Sequence, residues 1–252
     1  MDTPSLIPAE QALSWRAISS NPVDPAVHAH LRTLTKRLCL PMRGHQDGFL
    51  RCFVAGKSVL DIGCAEHDES HWNSGNWQHA KLCNWSKEIL GLDILPEAVE
   101  TLRQRGFNVV CADATSAIDL GRRFERIVVG DVLEHVDKPV DLLRFIDRHL
   151  APGGLAVLRT PNPFWWRFAF RVIAEGVPIT NAEHVSWITP CNAMELAERS
   201  GLCLVQYRPQ ASRYVALNPL YYILRFSSGR EPEFFSAAYL YIFSKRHDGS
   251  SK

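Results

Sequence analysis

From Lys57 onward five short runs, KSVLDI, ILGLDI, NVVCAD, RIVVGD and LAVLRT, alternate with stretches of helical pattern. That alternation constrains the fold more than anything else in the chain. Each run is aliphatic and rich in β-branched residues, as expected of a strand covered on both faces. PEAVETLRQRG (96–106) and KPVDLLRFIDRHLAPGG (138–154) lie between them. In the second, Val140, Leu143, Phe145, Ile146 and Leu150 fall mostly on one helical face, and Pro152-Gly153-Gly154 stops the helix. Strands joined by single helices need right-handed crossovers, so the spacing predicts an α/β fold with a doubly wound, mostly parallel sheet. With 252 residues, 46% of them hydrophobic and 22% charged, the chain can bury one large core.

Segments outside the alternation decorate that core. Residues 1–56, with prolines at 8, 22, 25 and 41 and aromatics at Trp15, Phe49 and Phe53, read as an N-terminal helical cap. Residues 57–245 form the main domain and 246–252 a tail. Two insertions, about 161–188 and 211–235, follow strand ends and are expected to build the substrate side of the crevice. SAAYLYIFSKR supplies the last strand.

Charge and cysteine content exclude several classes. Lys and Arg total 28 against 27 Asp and Glu, so no global field recruits nucleic acid or an anionic membrane, and nucleic acid is not an expected partner. The N-terminus lacks a basic, apolar leader, and no stretch approaches the ~20 apolar residues of a membrane span, which makes the cytoplasm the expected location. Seven scattered cysteines without a CxxC pair suit reduced thiols. Nothing in the sequence specifies an oligomeric state.

In open α/β sheets a ligand lies beyond the carboxyl ends of the strands. The first end reads Asp61-Ile62-Gly63-Cys64-Ala65-Glu66, a tight turn in which Gly63 lets backbone approach a ligand. The second ends at Asp93, whose carboxylate can accept both hydroxyls of a ribose; the third ends at Asp113, which can accept from an adenine amino group. Cys64, His67, His71 and His79 also lie close in sequence, but with no matched second pair they read as part of a polar loop capping a helix rather than a metal site.

With three acids at successive strand ends, the sequence resembles the class I S-adenosylmethionine-dependent methyltransferases. VLDIGCAEH matches their first motif, LGLDI the ribose-binding acid, CADAT the adenine-contacting acid, and IVVGDVLEHVDKP with LAPGGLAVLRTPN their fourth and fifth strands. The resemblance covers roughly residues 50–208. It implies a Rossmann-like seven-stranded sheet, S-adenosylmethionine as cofactor, and a binding set of Asp61, Gly63, Cys64, Ala65, Asp93, Ile94, Asp113, Ala114, Asp131 and Val132. The family's GxGxG turn is replaced here by Gly63-Cys64-Ala65-Glu66-His67; a sulfonium cofactor without phosphate tolerates the loss, whereas a dinucleotide does not.

Candidate bases must project from the fourth and fifth strand ends: Glu134 and His135, Asn162 after the fifth strand, and His184 in NAEHVSW. An acid-x-x-Glu-His stretch, a Thr-Pro-Asn turn and a later Glu-His resemble a subset of sugar and RNA-end O-methyltransferases. In that subset the corresponding residues hold a divalent ion. The resemblance implies Asp131, Glu134, His135 and His184 as ligands of Mg²⁺ or Mn²⁺. Metal-free base catalysis by His135 or His184, and structural roles, are the alternatives. Aromatics and arginines in the insertions (Phe164, Trp165, Trp166, Arg167, Phe168, Phe170, Arg171; Tyr214, Leu220, Tyr221, Tyr222, Leu224, Arg225, Phe226) suit a sugar, a lipid-linked acceptor or a membrane surface. The expected reaction is O-methylation of a small-molecule or glycan hydroxyl, with a sugar acceptor first and a quinone-like acceptor second. A cofactor-binding protein without catalysis is the reading from another class.

Overall fold

In the computed structural model, residues 14–42, 45–66, 69–177, 180–211, 219–228 and 232–246 are described. His67, Tyr214 and the tail beyond Arg246 lie outside these residues. Seven strands form one sheet: β1 (Ser58–Ile62), β2 (Glu88–Asp93), β3 (Val109–Cys111), β4 (Phe124–Gly130), β5 (Leu150–Pro161), β6 (Leu202–Ala211) and β7 (Ser236–Lys245). Their order is β3-β2-β1-β4-β5-β7-β6, with β7 antiparallel to both neighbours. The order reverses between β1 and β4, which opens a crevice beyond their carboxyl ends. The expected α/β fold is the one observed.

Period-two alternation distributes the strand side chains to two cores. Leu60, Ile127, Val129, Ala156, Leu158, Tyr239, Tyr241 and Phe243 face one side, where they meet helices α1 (Pro25–Leu38), α5 (Pro139–His149) and α7 (Pro190–Ser200). Val59, Val128, Leu155, Val157, Leu240 and Ile242 face the other, against α2 (Gln46–Val54) and α3 (Gln78–Trp85). Strands buried on both faces explain why the runs lack polar alternation. The N-terminal helices are thus part of both covering layers.

Helix boundaries follow their caps. Proline occupies the first turn of α1, α5, α7 and α4 (Pro96–Gln104), where a missing N–H costs nothing. Thr189 and Asn192 form a reciprocal capping box at the start of α7, and Gly201 ends it in the left-handed conformation. One expectation changes: Pro152-Gly153-Gly154 does not separate α5 from the next strand. β5 begins at Leu150, which pairs with Phe124, and the ladder resumes at Arg126 and Leu155 after a bulge. The sixth strand, LCLVQYRPQA, is not among the runs that read as strands. Between β5 and β7 lie two further helices, α6 (Trp166–Glu175) and α8 (Pro219–Ser228), one in each insertion.

Candidate active site

Backbone geometry makes the β1 turn. Gly63 has φ +80, and a Cβ there would stand 2.4 Å from Cγ2 of Val132, two residues past the β4 end. Only glycine meets both conditions. Ala65 donates its backbone N–H to Asp93 Oδ2 at 2.9 Å, and Leu95 donates to Asp93 Oδ1 at 3.1 Å. Asp93 therefore ties the β1 and β2 ends together, and its remaining lone pairs are available to ribose hydroxyls. Two indoles do for this turn what further glycines would do by yielding: Trp72 donates to the Ala65 carbonyl and Trp77 to the Cys64 carbonyl, the latter at 3.0 Å.

Other cofactor residues distribute differently from expectation. Cys64 and Ala65 are buried in the cluster formed by Trp72, Trp77, Val99 and Leu102, so only their backbone can serve the crevice. Asp61 is also buried, and its carboxylate lies 2.7 Å from His79 Nδ1. Burial alone would lower the His79 pKa, but hydrogen bonds to Asp61 and Cys83 raise it to about 9, while burial pushes the Asp61 carboxyl up, so the two form a buried hydrogen-bonded support beneath the turn. Asp61 thus supports the turn from below instead of presenting itself as an open ligand. Asp113 is exposed and closes an Asx turn, accepting from Thr115 N–H and Oγ1 at 2.7 Å each. Ile94 is exposed at the mouth beside Leu95, while Ala114 is buried. Among the described residues Cys64, His71 and His79 form no metal-binding group, because His71 is exposed and pairs with Glu66.

At the β4 end the chain departs from ordinary backbone: Asp131 has φ +52. Its carboxylate forms an ion pair with Arg159 of the adjacent strand, and its N–H donates to the Arg159 carbonyl at 3.1 Å. Arg159 Nε also donates to Gln210 Oε1 (3.2 Å), Gln210 donates to Gln46 Oε1 (2.8 Å), and Gln46 to Gln78 Oε1 (3.4 Å). Gln46 and Gln78 open α2 and α3, whose N-termini face the same corner. A charge pair fixed by uncharged amides and helix N-termini makes a polar end wall to the crevice. No strand-end motif predicts Arg159; its place in the wall arises from the pairing of Gly130 with Arg159.

Glu134 and His135 follow Asp131 in the same turn, and His184 joins them from the first insertion. Glu134 lies in the turn after β4 and is 1% exposed, with neither carboxylate oxygen hydrogen-bonded. Burial, then the nearby Asp131 charge, pushes its pKa up to about 7. The Glu134 backbone carbonyl accepts from Val185 N–H (2.9 Å) and Ser186 N–H (3.2 Å), which clips the first insertion onto the β4 turn. As a result the rings of His184 and His135 meet edge-on with centroids 4.8 Å apart. Ligand atoms of Glu134, His135 and His184 lie within 4.8 Å of one another. Burial and the neighbouring His135 lower the His184 pKa, keeping it neutral, and its Nδ1 has no hydrogen-bond partner. Glu183 Oε2 lies 3.8 Å from His135 Nδ1.

Two expectations about this group are corrected. Asp131 does not join it, because the ion pair to Arg159 takes its carboxylate away. Asn162 is fully buried and structural: its amide donates to the carbonyls of Glu233 and Ser236 at 2.7 and 2.8 Å, and its oxygen accepts from Phe164 N–H at 2.8 Å. Beyond His184 an edge-to-face run of rings continues through Trp187, Phe168 and Trp165. Thr160 Oγ1, buried beside the Glu134 carboxyl, is a further polar atom of the group that no strand-end motif predicts.

Comparison with known proteins accords with this geometry. A family described as Methyltransferase domain matches residues 31–207. The ubiquinone biosynthesis O-methyltransferase of Burkholderia multivorans is 25% identical over 175 residues, covering 66% of this chain and 75% of its own. That of Aeromonas salmonicida is 27% identical over 172 residues, covering 63% and 70%. Among solved structures, a SAM-dependent methyltransferase from Archaeoglobus fulgidus has a TM-score of 0.52 at 18% identity, covering 85% of this chain and 99% of its own. The CcbJ methyltransferase from Streptomyces caelestis has a TM-score of 0.53 at 16% identity, covering 79% and 93%. At those identities the structural likeness is one of fold. The family match, the strand order and the acid-held turn together place the chain among the class I S-adenosylmethionine-dependent methyltransferases.

Proposed function

We infer that the protein moves the methyl group of S-adenosylmethionine to a hydroxyl oxygen, and that the acceptor's proton leaves at the Glu134–His135–His184 group. The observation that carries this reading is a buried carboxylate with both oxygens unbonded beside two imidazoles. Such an arrangement costs stability unless a ligand completes it. S-adenosylmethionine bound in the crevice would supply the methyl group and leave as S-adenosylhomocysteine, and His184, kept neutral by burial and by His135, would take the proton of the acceptor hydroxyl. Asp93 orients the ribose, while Asp131 and Arg159 offer opposite charges to the amino-acid end of the cofactor.

The same three side chains fit a divalent ion, since they offer one carboxylate and two imidazoles, and Mn²⁺ suits that donor set better than Mg²⁺, which prefers oxygen alone. Held there, the ion would lower the acceptor hydroxyl's pKa. The run Trp187–Phe168–Trp165 beyond His184 favours a flat aromatic acceptor, a phenol or quinol, and the names of the two sequence relatives agree with that class. A sugar, the acceptor favoured by sequence, also stacks on such rings.

Labelled methyl transfer onto phenols, quinols, lipid-linked glycans and free sugars, each in chelator and with Mn²⁺ or Mg²⁺ restored, tests the reading. Oxygen methylation that collapses in Glu134→Gln is expected. Cofactor binding with transfer only to nitrogen or carbon acceptors would overturn it.

A further inference from the structure

The glutamines and the arginine at the corner beside β4 form a chain of hydrogen bonds with a fixed direction. A guanidinium can only donate, so the Gln210 amide must turn its oxygen to Arg159 Nε, 3.2 Å away. Its nitrogen then donates to Gln46 Oε1 at 2.8 Å, and Gln46 Nε2 donates to Gln78 Oε1 at 3.4 Å. Each amide imposes the same polarity on the next. The Gln78 nitrogen at the far end is left as a donor, and among the described residues no acceptor meets it.

That donor stands at the crevice. A Cβ on Gly130, the last residue of β4, would lie 3.0 Å from Gln78 Nε2, so the amide rests against bare backbone one residue before Asp131. Gln78 also opens α3, whose first turn has no side-chain cap, which brings the positive end of a helix to the same place. Arg159 is paired with Asp131. The corner thus sets a carboxylate, a guanidinium and an oriented amide donor together. A ligand with an ammonium and a carboxylate on one carbon matches them: the ammonium meets Asp131, and the carboxylate meets Arg159 and Gln78.

We propose that Gln78 recognises the carboxylate at the amino-acid end of the cofactor, and that Gln210 and Gln46 are positioning residues that hold its amide with the nitrogen outward. This rests on the reading that Asp131 and Arg159 meet that end of S-adenosylmethionine. Without Gln210 and Gln46 the Gln78 amide is free to rotate and present its carbonyl oxygen, which repels a carboxylate. Segments distant in sequence supply the chain, Gln46 from α2 in the N-terminal region and Gln210 from the end of β6. The N-terminal helices therefore contribute to cofactor selection as well as to the core.

Calorimetry on the full chain with S-adenosylmethionine and decarboxylated S-adenosylmethionine, which differ only in that carboxylate, tests the proposal. The wild type is expected to prefer the carboxylate form. Gln78→Leu should weaken S-adenosylmethionine roughly tenfold or more, the worth of one hydrogen bond to a charged group, and leave the decarboxylated form within about twofold. Gln210→Leu and Gln46→Leu should reduce the same preference by a smaller factor. Unchanged affinity for the decarboxylated form shows that each variant is folded. A preference that survives Gln78→Leu, or a loss shared equally by both ligands, overturns the proposal, and full preference in Gln210→Leu and Gln46→Leu overturns their positioning role. A wild type that binds both ligands alike overturns instead the reading of the Asp131 and Arg159 corner on which the proposal rests.

Discussion

The rings of His135 and His184, brought together from the β4 turn and the first insertion, stand edge-on with centroids 4.8 Å apart over the buried Glu134 carboxyl. If this group receives the acceptor's proton, His184→Ala and Glu134→Gln each lower kcat by roughly 10²–10⁴-fold. Calorimetry should show S-adenosylmethionine affinity within a factor of about two of the wild type, as expected of residues that meet only the acceptor. A matching loss of cofactor affinity would assign them to the cofactor pocket instead.

Stability should vary with pH through Glu134. Its carboxyl titrates near 4.5 in an ordinary setting and at about 7 here, so between those values the folded form holds a proton that the unfolded form has lost. Folding stability from this group is therefore present below pH 4.5, falls as pH rises, and is lost above about 7, a difference of about 3 kcal/mol. In chelator, Glu134→Gln should raise Tm at pH 8 and leave it unchanged near pH 4.5. Equal stabilisation at both values would remove the buried carboxylate as its cause.

Steric demand at the β1 turn is testable by a double-mutant cycle. Gly63→Ala must fit a methyl 2.4 Å from Val132 Cγ2 in a backbone with φ +80, which costs roughly 2–4 kcal/mol. Val132→Ala removes the clash and not the backbone strain, so it should recover part of the loss. Denaturant midpoints for the four proteins measure the coupling; strict additivity would show that the two residues do not touch.

Asp93 joins two strand ends through the N–H groups of Ala65 and Leu95. Asp93→Ala leaves both amides without their acceptor, a loss of about 1.5–3 kcal/mol per bond at most. The expected result is a lower Tm together with cofactor affinity weakened at least tenfold. Weaker binding at unchanged Tm would confine Asp93 to the ribose.

The charge pair of Asp131 and Arg159 predicts a ligand-dependent effect. Arg159→Met should weaken S-adenosylhomocysteine binding at least tenfold and leave 5′-methylthioadenosine, which lacks the amino-acid end, nearly unaffected. A uniform loss for both ligands, read by calorimetry, would mean that Arg159 only maintains the fold.

Sequence alone determined the layered α/β architecture, because strands covered on both faces must be apolar without alternation and because their connections each hold one helix. It also determined Gly63, Asp93 and the Glu134–His135 pair as strand-end residues of the crevice, since the position of an acid after a strand fixes where it emerges. The tertiary structure decided how those residues are used. Asp61 pairs with His79 beneath the turn, and Asn162 bonds only backbone. Asp131 turns to Arg159 on a neighbouring strand, a contact created by register. His184 reaches His135 because the Glu134 carbonyl accepts the amides of Val185 and Ser186. Local sequence encodes which groups leave a strand end, but their partners are set by hydrogen bonds between segments distant in the chain, and those exist only once the sheet has closed.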